Sequence, residues 1–157
     1  MIIGGSGHDS LFGNAGNDTV LADTGNDTLY GGDGDDHLQG GNHNDLLLGQ
    51  TGADLLTGGS GDDDLRGEAG RDQLNGVAGN DVLSGGADDD ILAADFGFDT
   101  LSGESGNDGL DGGDSTDILW GEAGDDLLFG GAGFLTGCSA AARAISFSVA
   151  TATTPDI

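Results

Sequence analysis

The chain has 157 residues, of which 34 are glycine and 29 are acidic, against three arginines and no lysine, for a formal charge of −26. So acidic a surface repels nucleic acid and anionic membranes and attracts cations. No run approaches the roughly 18 apolar residues of a membrane span, and a single cysteine, Cys138, excludes an intramolecular disulfide framework.

The start, Met1-Ile2-Ile3-Gly4, lacks the features of a cleavable signal peptide, so an exported form would be addressed by some other signal. From Gly4 to Phe129 the chain divides into 14 consecutive nine-residue units without insertion or deletion. The sixth position of every unit is aspartate: Asp9, Asp18, Asp27, Asp36, Asp45, Asp54, Asp63, Asp72, Asp81, Asp90, Asp99, Asp108, Asp117 and Asp126. The eighth is leucine in every unit except at Val20. Glycine holds the first position except at Ala22 and Ala94, and the fourth except at His43, Asp88 and Ser115. A repeat this regular argues against solvated disorder, the bland reading of a Gly/Asp-rich chain.

A unit such as Gly58-Gly59-Ser60-Gly61-Asp62-Asp63-Asp64-Leu65-Arg66 has two physical parts. Its first six residues are turn chemistry, glycine taking positive φ and aspartate bonding local backbone. Its last three predict a short strand that points one aliphatic side chain inward. Such a strand is useless alone, but stacked at about 4.8 Å it becomes one rung of a parallel sheet.

These units resemble the RTX (repeats-in-toxin, haemolysin-type) nonapeptide G-G-x-G-x-D-x-U-x, a calcium-binding repeat. The resemblance implies an all-β fold: a right-handed parallel β-roll, a two-sheet β-solenoid of about seven 18-residue turns. It also implies calcium between turns, held by the fourteen aspartates and loop carbonyls from units two apart. Such pairs, Asp9 with Asp27 or Asp18 with Asp36, allow up to about 12 ions. The family is generally exported by type I secretion from Gram-negative bacteria, so the expected location is extracellular and the secretion machinery an expected partner.

Oxygen ligands alone suit a hard cation, and flexible loops favour calcium over magnesium. His8, His37 and His43 fall at three different repeat positions, which argues against a zinc cage. Fourteen single aliphatics are a thin core for 126 ordered residues, so folding is expected to need the metal. No glutamate closes a twelve-residue loop, which excludes EF-hands. Neither His-Glu-x-x-His nor Gly-x-Ser-x-Gly occurs, so the chain is expected to be non-catalytic: a calcium-binding module, or the secretion and folding module of a larger RTX protease, lipase or toxin. The abrupt start of the repeat at Gly4 favours a piece of something larger.

Some features depart from the repeat. Phe96 and Phe98 place aromatics in one unit where small residues are usual, which reads as local degeneration with a weakened ion site, or as a docking point or bend. Phe12, Tyr30 and Leu48 should line up on the outer surface, as should Ile118 and Trp120, which suggests cover by a neighbouring domain or another copy. The seventh positions run Ser10, Thr28, Leu46, Asp64, Val82, Thr100 and Ile118, unlike the threonine rows of an ice-binding face. Residues 130–157 lose the repeat: Leu135 replaces the next aspartate, and Ile145-Ser146-Phe147-Ser148-Val149 alternates like a strand. This segment is expected to be a C-terminal cap or a secretion tail, with Asp156-Ile157 a weak secretion-like ending.

Overall fold

The computed structural model describes residues 1–131, 139–140 and 147–149. The expectations for Leu135, Cys138, Ile145-Ser146 and Asp156-Ile157 fall outside them. The first nine strands are β1 Ile2–Ser6, β2 Ser10–Ala15, β3 Thr19–Thr24, β4 Thr28–Asp33, β5 His37–Asn42, β6 Leu46–Thr51, β7 Leu55–Ser60, β8 Asp64–Ala69 and β9 Gln73–Ala78. There follow β10 Val82–Ala87, β11 Ile91–Phe96, β12 Thr100–Ser105, β13 Gly109–Asp111, β14 Ile118–Glu122, β15 Leu127–Gly131, β16 Ser139–Ala140 and β17 Phe147–Val149.

Successive strands alternate between two sheets. The odd-numbered strands form one sheet of nine and the even-numbered strands another of eight, and every pairing is parallel. Partners lie 18 residues apart, as in Leu47 with Leu65 and Leu65 with Leu83. The fold is therefore the two-sheet solenoid of about seven turns that the family resemblance implies.

The eighth-position residues stack into two inward columns. Leu29, Leu47, Leu65, Leu101 and Leu119 in one, and Val20, Leu38, Leu56, Leu110 and Leu128 in the other, are fully buried. Stacking one aliphatic on another removes both from water, each worth about 2 kcal/mol. The ladder also takes in Ile2 and Ile3, which pair with Val20 and Leu21 ahead of the first complete unit. On the outer face Phe12, Tyr30 and Leu48 align as expected, and the Phe12 and Tyr30 rings stack at 4.7 Å. Among the described residues no helix is long and apolar enough to cross a membrane.

One expectation is corrected. Most strands have six residues, not three: positions seven to nine continue into the first three of the next unit. The second position takes positive φ, which bends the strand without ending it, because pairing resumes beyond the bend at Gly41 with Gly59 and Asn42 with Ser60. Only positions four to six form the turn.

Candidate metal centre

Two bends carry the aspartate into place. The fourth residue of every unit also has positive φ, including the non-glycines His43 (78°), Asp88 (80°) and Ser115 (87°). The chain then reverses within three residues, and the sixth-position carboxylate folds back beneath the start of its own loop. A Cβ at Gly40, Gly67 or Gly85 would collide with Oδ2 of Asp45, Asp72 or Asp90. Glycine at the first position is thus favoured by the carboxylate and not by its own backbone angle, although Ala22 and Ala94 stand there in two units.

The fourteen predicted aspartates fall into two columns, one along each edge of the roll. Asp9, Asp27, Asp45, Asp63, Asp81, Asp99 and Asp117 form the first. Asp18, Asp36, Asp54, Asp72, Asp90, Asp108 and Asp126 form the second. Within a column each amide donates to Oδ1 of the aspartate one turn on, from Asp9 to Asp27 at 2.7 Å through to Asp108 to Asp126 at 3.0 Å. Stacked aspartates therefore meet amide to carboxylate, and each side chain keeps one oxygen free of the ladder. The unit carrying Phe96 and Phe98 keeps both its bonds, since Asp81 donates to Asp99 at 2.7 Å and Asp99 to Asp117 at 3.0 Å.

The free oxygen is the notable atom. From Asp27 to Asp126 every sixth-position aspartate is at most 4% exposed. Oδ2 of Asp9 and of all twelve aspartates from Asp27 to Asp126 is buried without a hydrogen-bond partner. Asp18 stands apart: it is half-buried, and its Oδ1 lies 3.9 Å from the Met1 amino group. Burying an unpaired polar atom costs free energy, and burying an unpaired charge costs far more.

Burial pushes the carboxyls of Asp63 and Asp90 up to about 7, and those of Asp45, Asp54, Asp99 and Asp108 up to about 6. The amide bond from the preceding turn opposes the rise, and neighbouring carboxylates add to it. Asp36, Asp72, Asp81 and Asp117 are raised for the same first reason. The described arginines do not relieve this. Arg66 binds Asp64 and Arg71 binds Asp89, both pairs on the exposed surface.

The donor set fits a hard cation. Besides the Oδ2 atoms, loop carbonyls lie against the next loop along each edge: Gly61 O against Gly79, and Gly34 O against Gly52. Among the described residues no three His, Cys, Asp or Glu side chains converge, so any ion held here takes much of its coordination from backbone oxygen. Such mixed carboxylate and carbonyl shells are calcium chemistry.

The family model for the RTX calcium-binding nonapeptide repeat (4 copies) matches residues 1–29, 21–56, 39–74, 66–101, 84–119 and 102–134. The chain belongs to this family. No curated protein matches it. RTX repeats bind calcium in a β-roll, and the buried aspartate ladder of this RTX chain, with its unclaimed oxygens, fits that chemistry.

Two functional positions escaped the sequence reading. The fifth residue forms a second, outer ladder running the opposite way, its side-chain oxygen accepting the amide one turn on. Asn17 accepts from Asp35 (3.1 Å), Asp62 from Asn80 (2.8 Å), Asn80 from Phe98 (3.1 Å) and Asp89 from Asn107 (3.0 Å). The recurrence of Asn or Asp just before the repeat aspartate was the available signal. The second position is the other, where Asn14, Asp23, Gln50, Glu68, Val77, Asp95, Glu104 and Glu122 all hold positive φ. Glycine at that position in Gly5, Gly32, Gly41, Gly59, Gly86 and Gly113 was the partial signal, and the other residues there conceal the angle.

Proposed function

We propose that this chain is a secreted RTX module whose folding is coupled to calcium, with the fourteen repeat aspartates as its carboxylate ligands. The observation that carries the reading is the set of buried, partnerless Oδ2 atoms in a molecule of charge −26. Each is a fixed negative site that the chain itself leaves uncompensated, so the roll is costly to form until a cation joins it. A bound ion would supply that compensation and link successive turns through the same oxygens and neighbouring loop carbonyls.

Sites of this kind in extracellular modules bind at about 10⁻⁴ to 10⁻³ M calcium. They stay empty in a cytosol and fill outside, so the chain remains unfolded for passage through a type I secretion system and folds on arrival. Residues 4–129 act as the calcium-binding roll and 130–157 as its C-terminal cap. The second assignment is supported by Ser139–Ala140 and Phe147–Val149, which extend both sheets by pairing with β14 and β15.

Circular dichroism of the chain in excess chelator, then titrated with calcium or magnesium, tests the reading. Strand signal should be absent at first and should rise with calcium at far lower concentration than with magnesium. A full strand signal in the chelator would sink it.

A further inference from the structure

The outward face of the nine-stranded sheet carries a trench over β13. Its floor is Gly109, the only glycine at the seventh position of any unit. Gly109 does not take positive φ, and a Cβ there would meet only Asp90 O, 4.0 Å away. Neither backbone angle nor packing asks for glycine, yet glycine weakens a strand; it often marks a place where a ligand or another backbone approaches closely.

The walls are apolar. Ile91 on β11 pairs in register with Gly109, and Leu127 on β15 pairs with it from the other side. They are 60% and 42% exposed. Ala93 and Phe129 continue these walls around Asp111, enclosing a cleft of about 350 Å³. The flanking strands stand about 9.6 Å apart, twice the ordinary interstrand spacing, which leaves room for one large side chain. Past the bend at Asp95 and Gly113, the same strands carry a second, smaller cleft lined by Asp95, Asp114 and Phe96, which is 62% exposed. Apolar surface and carboxylates therefore lie side by side on this part of the sheet.

We infer that this trench docks an extended segment of a partner protein in which large apolar residues alternate with lysine or arginine. One apolar side chain sits over Gly109 between Ile91 and Leu127, and a neighbouring basic residue meets Asp111. Charge decides the partner: the two clefts offer Asp95, Asp111 and Asp114 with no basic residue among the described residues of their lining, on a chain of charge −26. Phe96 gains a role at the far end, in a unit whose aspartate ladder is intact.

The test uses the full chain in saturating calcium at physiological salt, where nonspecific charge attraction is screened. The probe is a fluorescein-labelled peptide of about nine residues alternating lysine with leucine, read by anisotropy against a peptide alternating lysine with serine. Gly109→Val fills the notch with a good strand former, and Asp111→Asn removes its charge. The lysine/leucine peptide should bind more tightly than its serine counterpart, and each variant should weaken it about tenfold. Thr100→Val, on the other sheet, should not. Equal binding of both peptides, unchanged binding by Gly109→Val, or no binding by the full chain overturns the inference. So does sedimentation showing a peptide-free dimer that Gly109→Val dissociates, which would seat a second copy in the trench.

Discussion

The backbone amide of Asp63 donates to Oδ1 of Asp81, one turn on, at 2.8 Å, while Oδ2 of the same Asp81 is buried with no hydrogen-bond partner. The two oxygens of one carboxylate thus do separate work. Asp81→Asn separates them, because an amide oxygen still accepts the Asp63 amide but brings no charge. In calcium the loop should bind its ion about tenfold more weakly, a loss of about 1.4 kcal/mol. In chelator the effect should reverse, since an orphaned amide costs less to bury than an orphaned charge. Calorimetric titration reads the first effect and circular dichroism the second. A variant no more ordered than the parent in chelator would show that buried charge is not what opposes the metal-free fold.

The neighbouring residue provides a contrast. Asn80 accepts the Phe98 amide at 3.1 Å and donates to Asp62 at 2.9 Å, both on the exposed outer ladder. Asn80→Ala removes these bonds and leaves the buried column untouched. Unfolding by urea in saturating calcium should show a loss of about 1 kcal/mol, with the number of ions bound unchanged. A lower ion count would mean that the outer ladder takes part in the metal site.

Val77 is the harshest backbone compromise in the roll, a β-branched residue at φ 84°. Glycines at the equivalent position have the freedom to move to wider angles, such as 123° at Gly59 and 117° at Gly86. Val77→Gly should stabilise the calcium-loaded chain by about 1 kcal/mol, the relief of strain exceeding the added entropy of the unfolded chain. Val77→Asn should fall between the two. Midpoints of urea unfolding in calcium give the order, and a destabilised Val77→Gly would show that the valine side chain contributes packing worth more than its strain.

Much of this was legible in the sequence because the nine-residue period carries it. Leu65 recurs in register with Leu47 and Leu83, and the family resemblance implied that alternate units stack into two sheets with two inward columns. The aspartate columns were legible for the same reason. The positions of hydrogens and lone pairs were not. Nothing in the spacing says that Asp63 meets Asp81 through an amide rather than through a shared ion. Strand length was misjudged because glycine at the second position reads as turn, whereas Gly41 and Gly59 pair beyond a single bend. Gly109 stayed hidden among 34 glycines until its φ and its empty surroundings set it apart.

Acid should act on the metal-free chain in the direction opposite to ordinary acid denaturation. Asp63 and Asp90 are raised to about 7, and Asp45, Asp54, Asp99 and Asp108 to about 6, from an unfolded value of 3.8, chiefly by burial. Between those values the folded roll binds more protons than the unfolded chain, so its stability falls as pH rises. The favourable contribution is complete below 3.8 and is lost as pH climbs through about 6 to 7. In excess chelator, lowering the pH from about 8 to about 5 should therefore increase strand signal, protons standing in for calcium at Oδ2. Over the same range the apparent calcium affinity should drop, because proton and metal compete for one oxygen. Circular dichroism and calcium titration at matched pH values check both halves. Strand signal that does not rise on acidification in chelator would mean that these carboxylates are not ionised at a cost in the metal-free roll.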